Sequence, residues 1–123
     1  MVSAPQAQIL LVNPDGVKLY DAIQGNLNAT NSGNTELVAA VAGKRIRVVS
    51  IILTNGGSAT ITTKCQSATT DITAAHMLAS DGGGYTQTAV MGAWLFQTAA
   101  GEALNLNLSA NGTVACDVVY VQV

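Results

Sequence analysis

The run Ala103-Leu104-Asn105-Leu106-Asn107-Leu108-Ser109 constrains the fold more tightly than any other part of the chain. Leu104, Leu106 and Leu108 point one way, and Asn105, Asn107 and Ser109 the other. A strict period of two describes a β-strand with one face in a core and one in water. The pattern recurs from Ala59 to Ser67, where Ile61, Thr63 and Cys65 oppose Thr60, Thr62, Lys64 and Gln66. Helical periodicity is nearly missing. The best helix candidate, Thr73–Ala79, runs into the breaker Ser80-Asp81-Gly82-Gly83-Gly84 and reads equally well as a strand entering a turn.

Further strands are expected over Ile9–Val12, Thr35–Val41, Lys44–Thr54, Tyr85–Thr88, Ala93–Ala99 and Thr113–Val123. Asn111-Gly112 supplies the positive-φ residues of a tight hairpin, so the strands on either side are expected to pair with each other. Asn55-Gly56-Gly57-Ser58 predicts a second hairpin. Val48 to Leu53 is apolar on both faces apart from Ser50. Such a strand is covered on both sides, with the second cover coming from another subunit. Trp94 and Phe96 share one face and are expected to anchor the core. About eight short strands, with turn signals at the roughly 8–12-residue spacing of such folds, predict an all-β sandwich or barrel.

Residues 1–34 differ from the rest. Apart from the strand at Ile9–Val12 they hold Asn13-Pro14-Asp15-Gly16 and the Asn/Gly-rich stretch Gly25–Asn34. This composition reads as an N-terminal arm that orders on contact, or as plain surface loop, ahead of a sandwich domain over residues 35–123.

A chain of 123 residues fits one domain with one core. Only 10% of it is charged, against about 25% in an average globular protein. Thr, Ser, Asn and Gln carry the surface polarity, which suits faces covered in the working state. Net charge is −2, so no basic field exists to hold nucleic acid. Lys44, Arg45, Arg47 and Lys64 form at most one small positive patch. No run near 20 apolar residues is present to span a membrane, and Met1–Gln6 lacks the order of a signal peptide. The chain is expected to stay inside the cell that makes it or leave within a particle. Cys65 and Cys116 are expected to be free, buried thiols.

Catalytic signals are missing. His76 is the single histidine, and no Cys-x-x-Cys pair accompanies it, so no metal set is legible. Asp15, Asp21, Glu36, Asp71, Asp81, Glu102 and Asp117 lie at no spacing that forces a catalytic pair. Asp81-Gly82-Gly83-Gly84 opens no helix and lacks a Lys-Ser/Thr ending, so it reads as a flexible strand connection instead of a phosphate loop. The Asn-x-Ser/Thr triplets at Asn28, Asn107 and Asn111 follow from an Asn/Thr-rich composition. The expectation is a protein that binds and does not catalyse, without metal or cofactor.

Three segments carry a family resemblance: Asn34-Thr35-Glu36-Leu37-Val38-Ala39-Ala40-Val41-Ala42-Gly43-Lys44-Arg45-Ile46-Arg47-Val48, then Thr98-Ala99-Ala100-Gly101-Glu102 running on through Ser109, and the closing Val119-Tyr120-Val121-Gln122-Val123. Over Asn34–Val123 the chain resembles small bacteriophage virion proteins of the capsid decoration (cement) type. The resemblance implies a jelly-roll-like antiparallel β-sandwich on the capsid exterior, made in the host cytoplasm, with the major capsid protein and a homotrimer of itself as partners. Ile9, Leu10, Leu11 and Val12 of the arm and the cations Lys44, Arg45 and Arg47 are the candidate contact residues. The arm reads otherwise as a first strand of the domain, and the cations as a solvated strand end. A receptor- or carbohydrate-binding module of a phage fibre or spike is the alternative, and exposure of Trp94 or Tyr85 on a groove would favour it.

Overall fold

The computed structural model describes residues 9–12, 18–90 and 92–123. Eleven strands account for the regular structure, and no helix occurs among the described residues. They are β1 (Ile9–Val12), β2 (Lys18–Ala29), β3 (Gly33–Val38), β4 (Ile46–Asn55), β5 (Ile61–Ser67), β6 (Thr70–Asp71), β7 (His76–Leu78), β8 (Gly84–Thr88), β9 (Phe96–Gln97), β10 (Leu104–Leu108) and β11 (Val114–Gln122). The first sheet runs β1-β2-β11-β4, with β8 and β9 end to end along the free side of β4. The second runs β3-β10-β5, with β6 and β7 end to end along the free side of β5. Every pairing is antiparallel.

Counting each end-to-end pair as one position leaves four positions per sheet plus the added edge strand β1. The chain passes from one sheet to the other at β2–β3, β3–β4, β4–β5, β7–β8, β9–β10 and β10–β11. That connectivity is a jelly roll, which agrees with the expected all-β antiparallel sandwich of about eight strands.

The alternating leucines do what their period requires. Leu104, Leu106 and Leu108 are buried, with Ile61 and Cys65 beside them in the same sheet. Val48, Ile51, Leu53, Val114, Cys116 and Val118 face them from the first sheet. A buried aliphatic side chain contributes roughly 1.5–3 kcal/mol relative to an exposed one, so these two rows supply most of the driving force for closing the sandwich.

Several expectations are corrected. Neither Asn-Gly turn makes a hairpin: β4 and β5 lie in opposite sheets, as do β10 and β11. The tight hairpin turn needs positive φ, and none of Asn55, Gly56, Asn111 or Gly112 adopts it. Both turns instead arch over the end of the core. Gly112 packs against Ile61 and donates its N–H to the Thr30 carbonyl.

The reading of residues 1–34 as an arm or loop is corrected over 18–34, while residues 1–8 and 13–17 lie outside the described residues. Lys18–Ala29 is a strand of the first sheet, paired with β11 from Ile23↔Tyr120 to Ala29↔Val114, and β3 already begins at Gly33. The Asn/Gly composition fits because alternate residues face water. Gly25 lies against Tyr120 and Val118, where a larger side chain would crowd the core.

A change of phase accounts for part of the doubly apolar run. A β-bulge at Val49 shifts the register, so that Val119 opposes Ser50 while Tyr120 opposes Val48. Inward positions are therefore Ile46 and Val48 before the bulge and Ile51, Leu53 and Asn55 after it. The change of phase turns Val48, Ile51 and Leu53 inward, while Ile52 faces out and is 43% exposed.

Cys65 and Cys116 are free and buried, and burial is the main cause of their raised pKa values. Cys65 is pushed up to about 12, and Cys116 further still. Tyr85 rises to about 12 through burial and the neighbouring thiols. In the unfolded chain these groups ionise first, so their contribution is intact below about pH 9 and is lost as pH climbs toward 12. Each thiol steepens the loss by about 1.4 kcal/mol per pH unit in that window, and the more exposed Tyr85 adds less. The expected result is a melting temperature that falls steeply above pH 9, with a shallower fall in the Cys65→Ala/Cys116→Ala double variant. Equal slopes for the two proteins would refute this origin.

Candidate functional site

The edge of the sandwich formed by β6 and β7 on one sheet and β8 and β9 on the other carries the unusual surface chemistry. The two sheets meet there through the His76 and Tyr85 rings, whose centroids are 4.5 Å apart. Between β8 and β9 the chain leaves β4 and returns one residue further along. Ala89 N–H donates to the Val49 carbonyl, and Leu95 N–H to the Val48 carbonyl, so Val90 and residues 92–94 lie off the sheet as loop. Val90 is 78% exposed and Trp94 42% exposed on that loop, while Met77 is 75% exposed on β7. Among the described residues, three of the five exposed large hydrophobic side chains thus sit on one edge.

Trp94 is therefore not the core anchor that its alternation with Phe96 predicts. Only Phe96–Gln97 pairs with β4, which leaves Trp94 outside the strand, and Phe96 alone packs on the core. The Arg47 guanidinium lies over the Trp94 ring, 4.0 Å from its centroid. Its Nε donates to Gln97 Oε1 at 2.9 Å, on the neighbouring strand. One face of the indole is thereby held by a cation that is itself fixed.

Beside Gln97 opens a groove of about 380 Å³ between the β9 end of the first sheet and the β6 end of the second. Arg45, Gln97, Glu102, Ser67 and Thr70 supply its polar wall and Ile72 part of its apolar one. Local hydrogen bonds fix this wall. Ser67 Oγ donates to Glu102 Oε1 and accepts the Ala99 N–H at 2.9 Å. Arg45 donates to the Thr98 carbonyl at 3.3 Å, and Thr98 Oγ1 accepts the Ile46 N–H at 3.0 Å. The resemblance segment around Thr98–Glu102 thus builds one side of the groove. The residues opposite it come from β6, a different part of the chain, so its neighbours along the sequence do not reveal this role.

The contact residues expected from the sequence divide between two places. Lys44 and Arg45 are exposed and Arg47 is half-buried, at the start of β4 beside the groove. Ile9, Leu10, Leu11 and Val12 form β1, at the opposite edge of the first sheet, so the structure does not bring the two groups together. Lys64 is on the outer face of the second sheet. It pairs with Asp71 at 2.9 Å, and a hydrogen bond from Gln66 together with Lys64 lowers the Asp71 pKa.

Among the described residues no group of three or more His, Cys, Asp or Glu side chains is placed to hold a metal ion. No family model and no curated protein matches the chain. Among solved structures it is similar to the CBM22-1–GH10 modules of endo-1,4-β-D-xylanase 10B from Clostridium thermocellum, at 12% identity and a TM-score of 0.32. The match covers 94% of this chain and 23% of that one, so this chain spans less than a quarter of its length. A likeness of that size carries no argument about function.

Proposed function

We propose that the protein is a structural virion protein that binds the outside of a phage capsid and reinforces the shell as a homotrimeric decoration protein. The observation that carries this reading is the apolar edge: Met77, Val90 and Trp94 stand exposed on a body with only 10% charged residues. Exposed apolar groups concentrated on one side mark an interaction surface. Copies repeated over a symmetric shell turn a modest contact into a large total.

The expected result is a solution mass near three times 12.5 kDa, or trimerisation on the shell, together with co-sedimentation with heads of the phage that encodes the chain. Val90→Asp and Met77→Asp should each abolish co-sedimentation while leaving the melting temperature unchanged, because both side chains are exposed. Undiminished co-sedimentation of both variants would move the interface elsewhere. Failure of the unaltered protein to sediment with heads would end the decoration reading.

A second reading, a carbohydrate-recognition module of a fibre or spike, is favoured by one observation: Trp94 is exposed, and the Arg47 stacked on its ring is bonded to Gln97 of the polar groove.

A further inference from the structure

We propose that the groove bounded by Arg45, Gln97 and Glu102, together with Trp94, which is joined to it through Arg47 and Gln97, is a binding subsite for one uncharged pyranose unit of an oligosaccharide. This inference rests on the second reading above and names its site and ligand class.

The groove is large enough for a single ring and falls within the roughly 300–1,000 Å³ of small-molecule sites. Its polar groups are held by the protein with capacity to spare. One guanidinium donor of Arg45 is engaged with the Thr98 carbonyl, out of the five that an arginine carries. One carboxylate lone pair of Glu102 is engaged with Ser67, out of roughly four. Gln97 receives Arg47 on its carbonyl oxygen, which leaves its amide hydrogens facing other partners. Fixed donors beside fixed acceptors match vicinal hydroxyls, each of which donates and accepts at once. Because the side chains are already oriented, little ordering entropy opposes binding.

Charge selects further. Arg45 and Glu102 line the same small space with opposite signs, so neither an anionic nor a cationic ligand gains a net attraction. Trp94, next to the groove by way of Arg47 and Gln97, supplies the apolar half of the recognition. A pyranose has one face of C–H groups, and these meet the negative face of an indole favourably. Arg47 on one side of Trp94 holds the ring in place while 42% of the residue stays open to solvent.

Trp94 is the only tryptophan of the chain, so its fluorescence reports on this site alone. The full-length protein is titrated with cello-, manno-, galacto- and xylotetraose, followed by Trp94 emission and by calorimetry, with sialyllactose and tetragalacturonate as charged controls. The expected result is saturable binding of at least one neutral tetrasaccharide with a shift in Trp94 emission. Glu102→Gln and Arg45→Ala should each weaken it about tenfold or more, which is ~1.4 kcal/mol. Trp94→Ala, followed by calorimetry, should weaken it at least as much. Lys64→Ala, on the outer face of the second sheet, should bind normally. Neutral-sugar binding untouched by all three groove variants would overturn this site and leave the recognition reading standing. Binding of the charged controls alone would overturn the ligand class. No binding by any of these sugars would overturn both the subsite and the recognition reading, without bearing on attachment to capsids.

Discussion

Replacing Gly84 by alanine is expected to destabilise the protein by about 3 kcal/mol or more and to detach β8 from β4. A Cβ built on Gly84 comes within 2.0 Å of the Leu53 carbonyl oxygen and 3.1 Å of Thr54 Cα. Both are backbone atoms of the strand that β8 pairs with, so no rotamer change can relieve the clash. The strands must separate. Separation removes Tyr85 from its place opposite Leu53 and breaks its ring contact with His76, which joins the two sheets at this edge. Overpacking inside a well-packed structure costs typically 1–3 kcal/mol, and loss of strand pairing adds to it. Gly56→Ala is the matched control, because its added carbon would meet nothing nearer than 3.9 Å, and its cost should stay below about 1 kcal/mol. Urea unfolding gives both values, and amide exchange at Tyr85–Thr88 reports the local opening. Equal stability of the two variants would sink the argument.

The same segment shows how much of the fold the residues announce and where they fall silent. Ser80–Gly84 looks like a flexible connection, since glycine runs usually are. Here each glycine has a separate task. Gly82 takes a φ of +110°, Gly83 has no space beside Ala79, and Gly84 none beside Leu53. Composition shows that the run is glycine and not which backbone stands against it. Alternation in Leu104–Leu108 and Ile61–Cys65 told correctly which faces are buried, because burial is a local consequence of a period-two strand. It did not tell which strands pair, and the Asn-Gly turns suggested neighbours that lie in opposite sheets. In a jelly roll nearly every connection crosses the core, so adjacency along the chain predicts pairing poorly.

The candidate site was legible in the same partial way. Arg45 and Arg47 drew notice as cations, and Trp94 as the sole tryptophan. Their conjunction depends on the bulge at Val49, beyond the end of β8, where the chain leaves the sheet at Val90 and rejoins it at Leu95. A continuous apolar run such as Val48–Leu53 is compatible with a bulge and equally with a strand covered on both faces. Only the cross-strand register separates the two. Gln97, Ser67 and Glu102 carry no signature of their own, since their roles arise from meeting across 35 residues of chain in the Ser67–Glu102 hydrogen bond.

Asn55 should be the most sensitive polar position in the protein. Its side chain is fully buried at the end of β4. Nδ2 donates to the Ala59 carbonyl at 2.8 Å and the Leu78 carbonyl at 3.2 Å, while Oδ1 accepts the Gly57 N–H at 2.9 Å. Its backbone N–H donates to Gly83, and its carbonyl accepts the Gly82 N–H, both at 2.7 Å. One residue thus ties the end of the first sheet to the arch leading into β5, to β7 in the second sheet, and to the glycine crossing. In Asn55→Ala the three side-chain partners lose their bonds. Each buried group left unsatisfied costs about 1–3 kcal/mol, so the total is expected at roughly 3–5 kcal/mol. That is a large share of a stability of about 5–15 kcal/mol. Asn55→Asp tests the chemistry apart from the shape, because it keeps the volume and the acceptor for Gly57 while replacing both donors with an oxygen that faces two carbonyls. Its loss should exceed that of Asn55→Ala at neutral pH and shrink as the solution is acidified, since a protonated carboxyl restores one donor. Denaturant midpoints at pH 7 and pH 4 decide the matter. An Asn55→Asp variant as stable as the parent at pH 7 would mean that water, and not Asn55, satisfies these carbonyls.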